Sequence, residues 1–331
     1  MKITVLGAGS WGTTLACLLA DNGHEIFLWE YDKKIADRLN ADRTIPFIGG
    51  AVVPDSIKIS SDLKMIKETD AVLFVVPSHF LRSTLSSIKN LGIDLNGKLV
   101  ISATKGIETN TLLRGSEIIE ELFPEIKDKA VVLSGPSHAE EVSKKIPTAV
   151  ISASKDRKLA IQCRDLFMND YFRVYTQDDI VGVELGASLK NVFAVAGGII
   201  DGLSFGDNTK AAIVSRGLQE LVRLGVALGG KKQTFYGLSG AGDLMVTCFS
   251  KHSRNRSLGE MIAHGKTLKE AEKDLKMVAE GVKTAVSAYK LGKKLNIELP
   301  IINEVYNVLF NDKDPKHAVY DLMTRTPKSE Y

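Results

Sequence analysis

Up to Tyr175 the hydrophobic residues gather in short, β-branched runs, and each run is followed by a stretch with apolar residues three or four apart. Residues 3–6, 25–29, 71–76, 98–102, 130–133, 149–152 and 172–175 read as strands. The run at 71–76 is apolar throughout, as expected of a parallel strand covered on both faces. Between the strands, residues 13–22, 32–42, 62–68, 78–90, 112–122 and 158–168 read as helices, with Ser78 as the expected cap of the fourth. Strand and helix alternating in this way predict a doubly wound α/β sheet. Past residue 181 the strand pattern stops. Helical spacing then dominates at 181–200, 209–228, 258–264, 268–274, 282–295 and 301–310. Two domains are expected, a sheet domain over 1–180 and an all-helical domain over 181–331.

The first strand runs directly into Gly7-Ala8-Gly9-Ser10-Trp11-Gly12, a G-x-G-x-x-G loop that opens a helix. Gly7 permits the tight turn, Gly9 lets backbone approach a pyrophosphate, and Gly12 lets helix and strand pack closely. The second strand ends on the acidic Glu30, the place for a group that hydrogen-bonds a ribose hydroxyl. A glycine hexad alone could be a plain tight βα turn, but strand, loop, helix, strand and acid in this order favour a Rossmann-type dinucleotide site.

Composition narrows the function classes. With 43 basic and 40 acidic side chains, the 331-residue chain carries a formal charge of +3, and no basic run marks it for nucleic acid. Cys17, Cys163 and Cys248 are scattered, and the six histidines have no ligand spacing, so neither a disulfide framework nor a metal site is expected. A strand beginning within two residues of Met1 leaves no room for a signal peptide, and a cytoplasmic location is expected. Residues 181–200 are long and apolar enough to mimic a membrane span. Glu184, Lys190 and Asn191 inside it make a buried core helix the better reading.

That helix sets up the main chemical candidate. Lys190 has apolar neighbours on a helix that also carries Gly182, Gly186, Gly197 and Gly198. Four helix glycines are tolerated where another backbone or a ligand comes close. An isolated lysine ordinarily snorkels to water, whereas a desolvated one suits general acid–base work. Lys105, after the fourth strand, is placed at the ligand edge of the sheet and is equally readable as a solvated turn residue. Ser137 and Glu140 have capping-box spacing beside Gly135 and predict a capped helix end able to receive an anion. Asp243 follows a glycine-rich stretch, and Ser253-Arg254-Asn255-Arg256 comes next; by itself this cluster reads first as a polar interhelical loop, although Arg254 is suited to a bidentate phosphate contact and Asn255 to donating beside it.

These motifs together resemble the bacterial NAD(P)-dependent glycerol-3-phosphate dehydrogenases. The resemblance rests on residues 7–12, Val-Pro-Ser-His at 76–79, Ala-Thr-Lys-Gly at 103–106 and Ser-Gly-Pro-Ser at 134–137 with Ala139. It continues through Leu-Lys-Asn at 189–191, Gly-Asp-Leu at 242–244 and Ser-Arg-Asn-Arg at 253–256, in family order from residue 3 to about 310. It implies reversible reduction of dihydroxyacetone phosphate to sn-glycerol 3-phosphate, a phospholipid precursor, with NAD or NADP as cofactor. By motif match Lys190 is the proton donor and acceptor. Lys105, Gly135, Ser137, Asp243, Ser253, Arg254 and Asn255 surround substrate, with Thr247 at a further position near it. Ser10, Trp11, Lys105, Ala139, Arg254, Val278 and Glu280 contact cofactor. The family also implies a homodimer. Where many bacterial members carry a histidine or arginine suited to NADP, this chain has Glu30-Tyr31, which predicts a preference for NADH. Two rival classes are a related reductase for another carbonyl substrate and a non-catalytic NAD(P) sensor. The Ser-Arg-Asn-Arg cluster argues against the first, and the joint presence of Lys105, Lys190 and Asp243 against the second.

Overall fold

The computed structural model describes residues 1–275, 278–327 and 329–330. The chain divides into two compact units: residues 1–106 with 113–184, and residues 107–112 with 185–331.

The first unit is built on an eight-stranded sheet. In chain order it contains β1 (Lys2–Leu6), α1 (Ser10–Asp21), β2 (Glu25–Trp29), α2 (Lys33–Asp42), β3 (Lys58–Ser60), β4 (Ala71–Phe74) and α3 (Ser78–Asn90). There follow β5 (Leu99–Ser102), α4 (Gly115–Leu122), β6 (Val131–Ser134), α5 (Ala139–Val142), β7 (Thr148–Ala153), α6 (Arg157–Phe167) and β8 (Phe172–Gln177). The spatial order is β3-β2-β1-β4-β5-β6-β7-β8. Alternate residues of each central strand feed two cores. Ile3, Val5, Leu73 and Ile101 point to one face, and Val72, Phe74, Val100 and Val132 to the other. Burial on both faces explains why these strands are apolar throughout rather than alternating.

Besides the additional strand β3 and the 3₁₀ rather than α-helical turn at Leu63–Glu68, two local features depart from the expected ones. The first is at β7, which runs antiparallel to β6. Of the thirteen residues between the two strands only the four of α5 are helical, shorter than the crossover helix that a parallel return usually carries. The second is at Ser78, which does not cap α3. Pro77 occupies the N-cap position, no side-chain cap bond forms there, and Ser78 is already the first helical residue.

The second unit is helical. Its elements are α7 (Ile180–Gly202), α8 (Gly206–Ala227), α9 (Lys232–Phe235), a wide π-turn at Leu238–Gly242, α10 (Asp243–Phe249) and α11 (Arg254–Ala263). They are followed by α12 (Leu268–Leu275), α13 (Glu280–Leu295), α14 (Pro300–Phe310) and α15 (Pro315–Met323). The division between the units falls inside α7, after Glu184. Helix α7 alone, among the described residues, is long and apolar enough to cross a membrane, and its whole apolar window is buried inside the fold.

Glycines let the second unit pack backbone to backbone. A β-carbon on Gly186 would lie 2.5 Å from the Ser239 carbonyl oxygen, and one on Gly198 would overlap the Arg256 carbonyl. The facing glycine on α11, Gly259, abuts the Val195 carbonyl in the same way. Each glycine costs about 1 kcal/mol of helix propensity against alanine, and close helix contact is the return. Residues 107–112 join this unit because α13 holds them: Ser287 Oγ donates to the Ile107 carbonyl at 2.9 Å, and Lys290 Nζ to that of Thr109 at 3.0 Å.

Candidate active site

In the first unit the glycine loop sits at the carboxyl end of β1, the strand from which the order runs one way to β2 and β3 and the other way to β4. Such a reversal is where open α/β sheets bind ligands. Gly7 has φ +111°, and a β-carbon there would press on the Val75 backbone at 3.0 Å; one on Gly12 would overlap the Gly7 carbonyl. Gly9, the N-cap of α1, faces open space, with nothing within 4 Å of where its β-carbon would be. Ser10 Oγ is buried and, among the described residues, has no hydrogen-bond partner. An open backbone position, the first-turn amides of α1 and an unsatisfied hydroxyl together fit a dinucleotide pyrophosphate. Trp11 packs against the sheet core beside them. At the end of β2, Glu30 Oε1 accepts the Asp32 amide at 3.2 Å, and Tyr31 is 83% exposed, its ring edge-on to Trp29.

Across the same strand ends, Lys105, Gly135 and Ser137 come together. The Gly135 carbonyl accepts Lys105 Nζ at 3.3 Å and Ser137 Oγ at 3.0 Å. Gly135 has φ +156°, and a β-carbon would approach Val150 Cα to 2.9 Å, so the residue has to be glycine. The capping box expected of Ser137 and Glu140 does not form. Helix α5 begins at Ala139 with His138 as its N-cap, which makes Glu140 the second helical residue rather than the third. Ala139 itself is buried.

In the second unit Lys190 does not snorkel. Its side chain is 7% exposed, and its Nζ donates to Asp243 Oδ1 and, at 2.6 Å, to Thr247 Oγ1. Both partners lie on α10, on the same helical face four residues apart. Asp243 is 1% exposed and Thr247 3%, so the ammonium is held by two buried acceptors. The neighbouring Asn191 is tied elsewhere. Its Oδ1 accepts Asn255 Nδ2 at 2.9 Å, while Asn255 Oδ1 accepts the Gly281 amide at 2.8 Å. Asn255 is therefore a brace joining α7, α11 and α13, with one amide hydrogen left for donation. Ser253 caps α11 by accepting the Arg256 amide at 3.2 Å. Arg254, exposed at the start of that helix, donates to the Val278 carbonyl at 3.1 Å, two residues before Glu280 opens α13.

Burial pushes the thiols of Cys17, Cys163 and Cys248 up to about 12, which makes them inert as nucleophiles. A second polar cluster, Asp201, Lys210 and Arg256, escaped sequence reading because its members lie on three different helices. One signal was present. Asp201 follows Lys190 by about three helical turns, on the same face of α7.

Comparison with known proteins matches this layout. Residues 2–160 match the model of the NAD-dependent glycerol-3-phosphate dehydrogenase N-terminus, and residues 179–320 that of the C-terminus. A glycerol-3-phosphate dehydrogenase [NAD(P)+] from Thermoanaerobacter sp. is 50% identical, covering 100% of this chain and 99% of its own. One from Fusobacterium nucleatum is 46% identical over 100% of this chain and 98% of its own. The crystal structure of glycerol-3-phosphate dehydrogenase from Coxiella burnetii has a TM-score of 0.93 at 37% identity, covering 98% of this chain and 99% of that one. With its Rossmann-type sheet unit, helical second unit and full-length relatives, this chain belongs to the NAD-dependent glycerol-3-phosphate dehydrogenase family.

Proposed function

We propose that the chain reversibly reduces dihydroxyacetone phosphate to sn-glycerol 3-phosphate, feeding phospholipid synthesis in the cytoplasm, with Lys190 as the proton-transferring residue and NADH as the preferred cofactor. The observation that carries the reading is the buried Lys190 ammonium seated on Asp243 and Thr247. When bound, the nicotinamide supplies the hydride that adds to the substrate's C2 carbonyl carbon. Lys190 Nζ gives the C2 oxygen its proton, which turns the developing alkoxide into a hydroxyl. The reverse reaction returns that proton to Nζ. Asp243 and Thr247 orient Nζ, and the Asp243 carboxylate steadies the ammonium between turnovers.

Substrate and cofactor need separate handles. The guanidinium of Arg254 and the first-turn amides of α11 hold the phosphate, supported by the capping of that turn by Ser253. Lys105, Gly135 and Ser137 contact the substrate, and Ser10, Trp11 and Ala139 the cofactor. Arg254, Val278 and Glu280 complete the cofactor contacts. Glu30 takes the adenosine ribose 2′-hydroxyl, with Tyr31 beside it. The three unpaired thiols, two of them buried, fit a reducing compartment. A homodimer is the assembly expected of the family, to be read by sedimentation.

The deciding experiment is NADH oxidation by the purified protein with dihydroxyacetone phosphate. Turnover with that substrate is expected, with none on a 2-ketoacid or an acyl-CoA. Turnover on either of those alone, or binding of NADH without turnover, would overturn the assignment.

A further inference from the structure

Asp201 is a hub in the second unit. Its carboxylate accepts Lys210 Nζ at 2.8 and 2.7 Å and Arg256 Nε at 2.5 Å. The other arm of Arg256 reaches Glu260 Oε2 at 3.3 Å, and Lys210 Nζ also lies 4.9 Å from the centre of the Phe249 ring. The Lys210 and Arg256 side chains are only 8% and 14% exposed. A partly buried ion network of this kind is weak as a source of stability, because desolvation offsets the attraction, and its attested use is to specify one arrangement over others.

The arrangement it specifies is the rotation of the first turn of α11. The Arg256 backbone is fixed twice, by its amide on Ser253 Oγ and by its carbonyl against Gly198 of α7. Its side chain is fixed a third time, by Asp201 on that same helix. Residues two apart on a helix point to nearly opposite sides. Anchoring Arg256 inward onto α7 therefore turns Arg254 outward, and Arg254 is exposed while Arg256 is not.

We infer that Asp201 and Arg256 are a positioning pair that aims Arg254 at the substrate phosphate and so sets affinity for phosphorylated substrate. The inference rests on the proposed function, in which Arg254 holds that phosphate. Lysine at 256 keeps the charge but loses the planar fork that spans Asp201 and Glu260.

The test is steady-state kinetics of Arg256→Lys and Arg256→Met with dihydroxyacetone phosphate and with phosphate-free dihydroxyacetone, each variant also made in the Arg254→Ala background. For Arg256→Lys, KM for the phosphorylated substrate should rise roughly tenfold with kcat within about twofold, and kcat/KM for dihydroxyacetone should hardly move. Arg256→Met should lose more. In the Arg254→Ala background neither change should cost anything further, because the residue through which they act is gone. Equal losses on both substrates, or the same loss with and without Arg254, would overturn the pair's positioning role. Should Arg256→Met fail to fold, Arg256→Lys carries the comparison alone. The two readings fail differently. A wild type inactive on dihydroxyacetone phosphate removes the proposed function and this inference with it, whereas an active wild type, an Arg254→Ala that discriminates between substrates and a silent Arg256→Lys remove only the inference.

Discussion

Lys190 and Asp243, 53 residues apart in sequence, meet as a buried ion pair in which Thr247 supplies the second acceptor to the same ammonium. With the pair nearly sealed from water, removing one partner leaves the other as an uncompensated buried charge. Lys190→Met should therefore lower turnover by roughly a hundredfold or more while NADH affinity stays close to wild type. The change should also cost stability, on the order of 3 kcal/mol, because the Asp243 carboxylate is stranded. Stopped-flow kinetics and denaturant titration read the two effects, and a mutant keeping half of the wild-type kcat would remove Lys190 from the chemistry.

Arg254→Ala separates phosphate recognition from the rest. KM for dihydroxyacetone phosphate should rise far more than KM for dihydroxyacetone, since only the former offers oxygens for a charge-assisted contact. Similar rises for both would mean that Arg254 does not hold the phosphate.

Cofactor choice should follow Glu30. A 2′-phosphate would meet its carboxylate at short range, whereas a 2′-hydroxyl can donate to it. Lys33 is already paired with Asp37 at 3.0 Å, in a surface contact weak enough that it does not prevent the lysine from turning. NADH should still win in kcat/KM by about tenfold, or roughly 1.4 kcal/mol. Glu30→Ser should shrink that ratio. An unchanged ratio in the variant would show that Glu30 is not the selector.

Stability should fall as pH rises from about 4.5 to about 7, and Glu220 is one cause. Burial pushes this carboxyl from its ordinary 4.5 up to about 7, against the pull of the Ile301 and Ile302 amides, which donate to it at 2.7 and 3.1 Å. Between those two values the unfolded chain releases the proton and the folded chain keeps it, so stability declines across that window and levels off above it. The contribution lost is about 3 kcal/mol. Glu220→Gln should remove most of that decline when unfolding free energies are compared at pH 5 and pH 8. Parallel pH profiles for the two proteins would show that Glu220 is not responsible.

Strand–helix alternation, the Gly7–Gly12 loop and the long helix around Lys190 were legible because local backbone geometry imposes them. A strand buried on both faces must be apolar throughout, and a turn at φ +111° needs glycine, as at Gly7. Lys105, Lys190, Asp243 and Arg254 could likewise be singled out from the short runs that carry them, whereas Ala139, Val278 and Glu280 were named only by family resemblance. What those residues touch was decided only by packing. Whether Lys190 reached water or a carboxylate depended on how α10 lies against α7, which the contact of Gly186 with Ser239 helps to set. Asn255, read as a donor beside Arg254, has its carbonyl oxygen committed to Gly281. Ser137 and Glu140 had capping-box spacing, yet the turn at Gly135 moved the helix start past it. The pairing of Arg256 with Asp201 joins residues 55 apart, and no local pattern encodes it. Hydrophobic periodicity and turn preference act over a few residues and can be read along the chain, whereas charge pairing and desolvation act across contacts that exist only once the helices have packed.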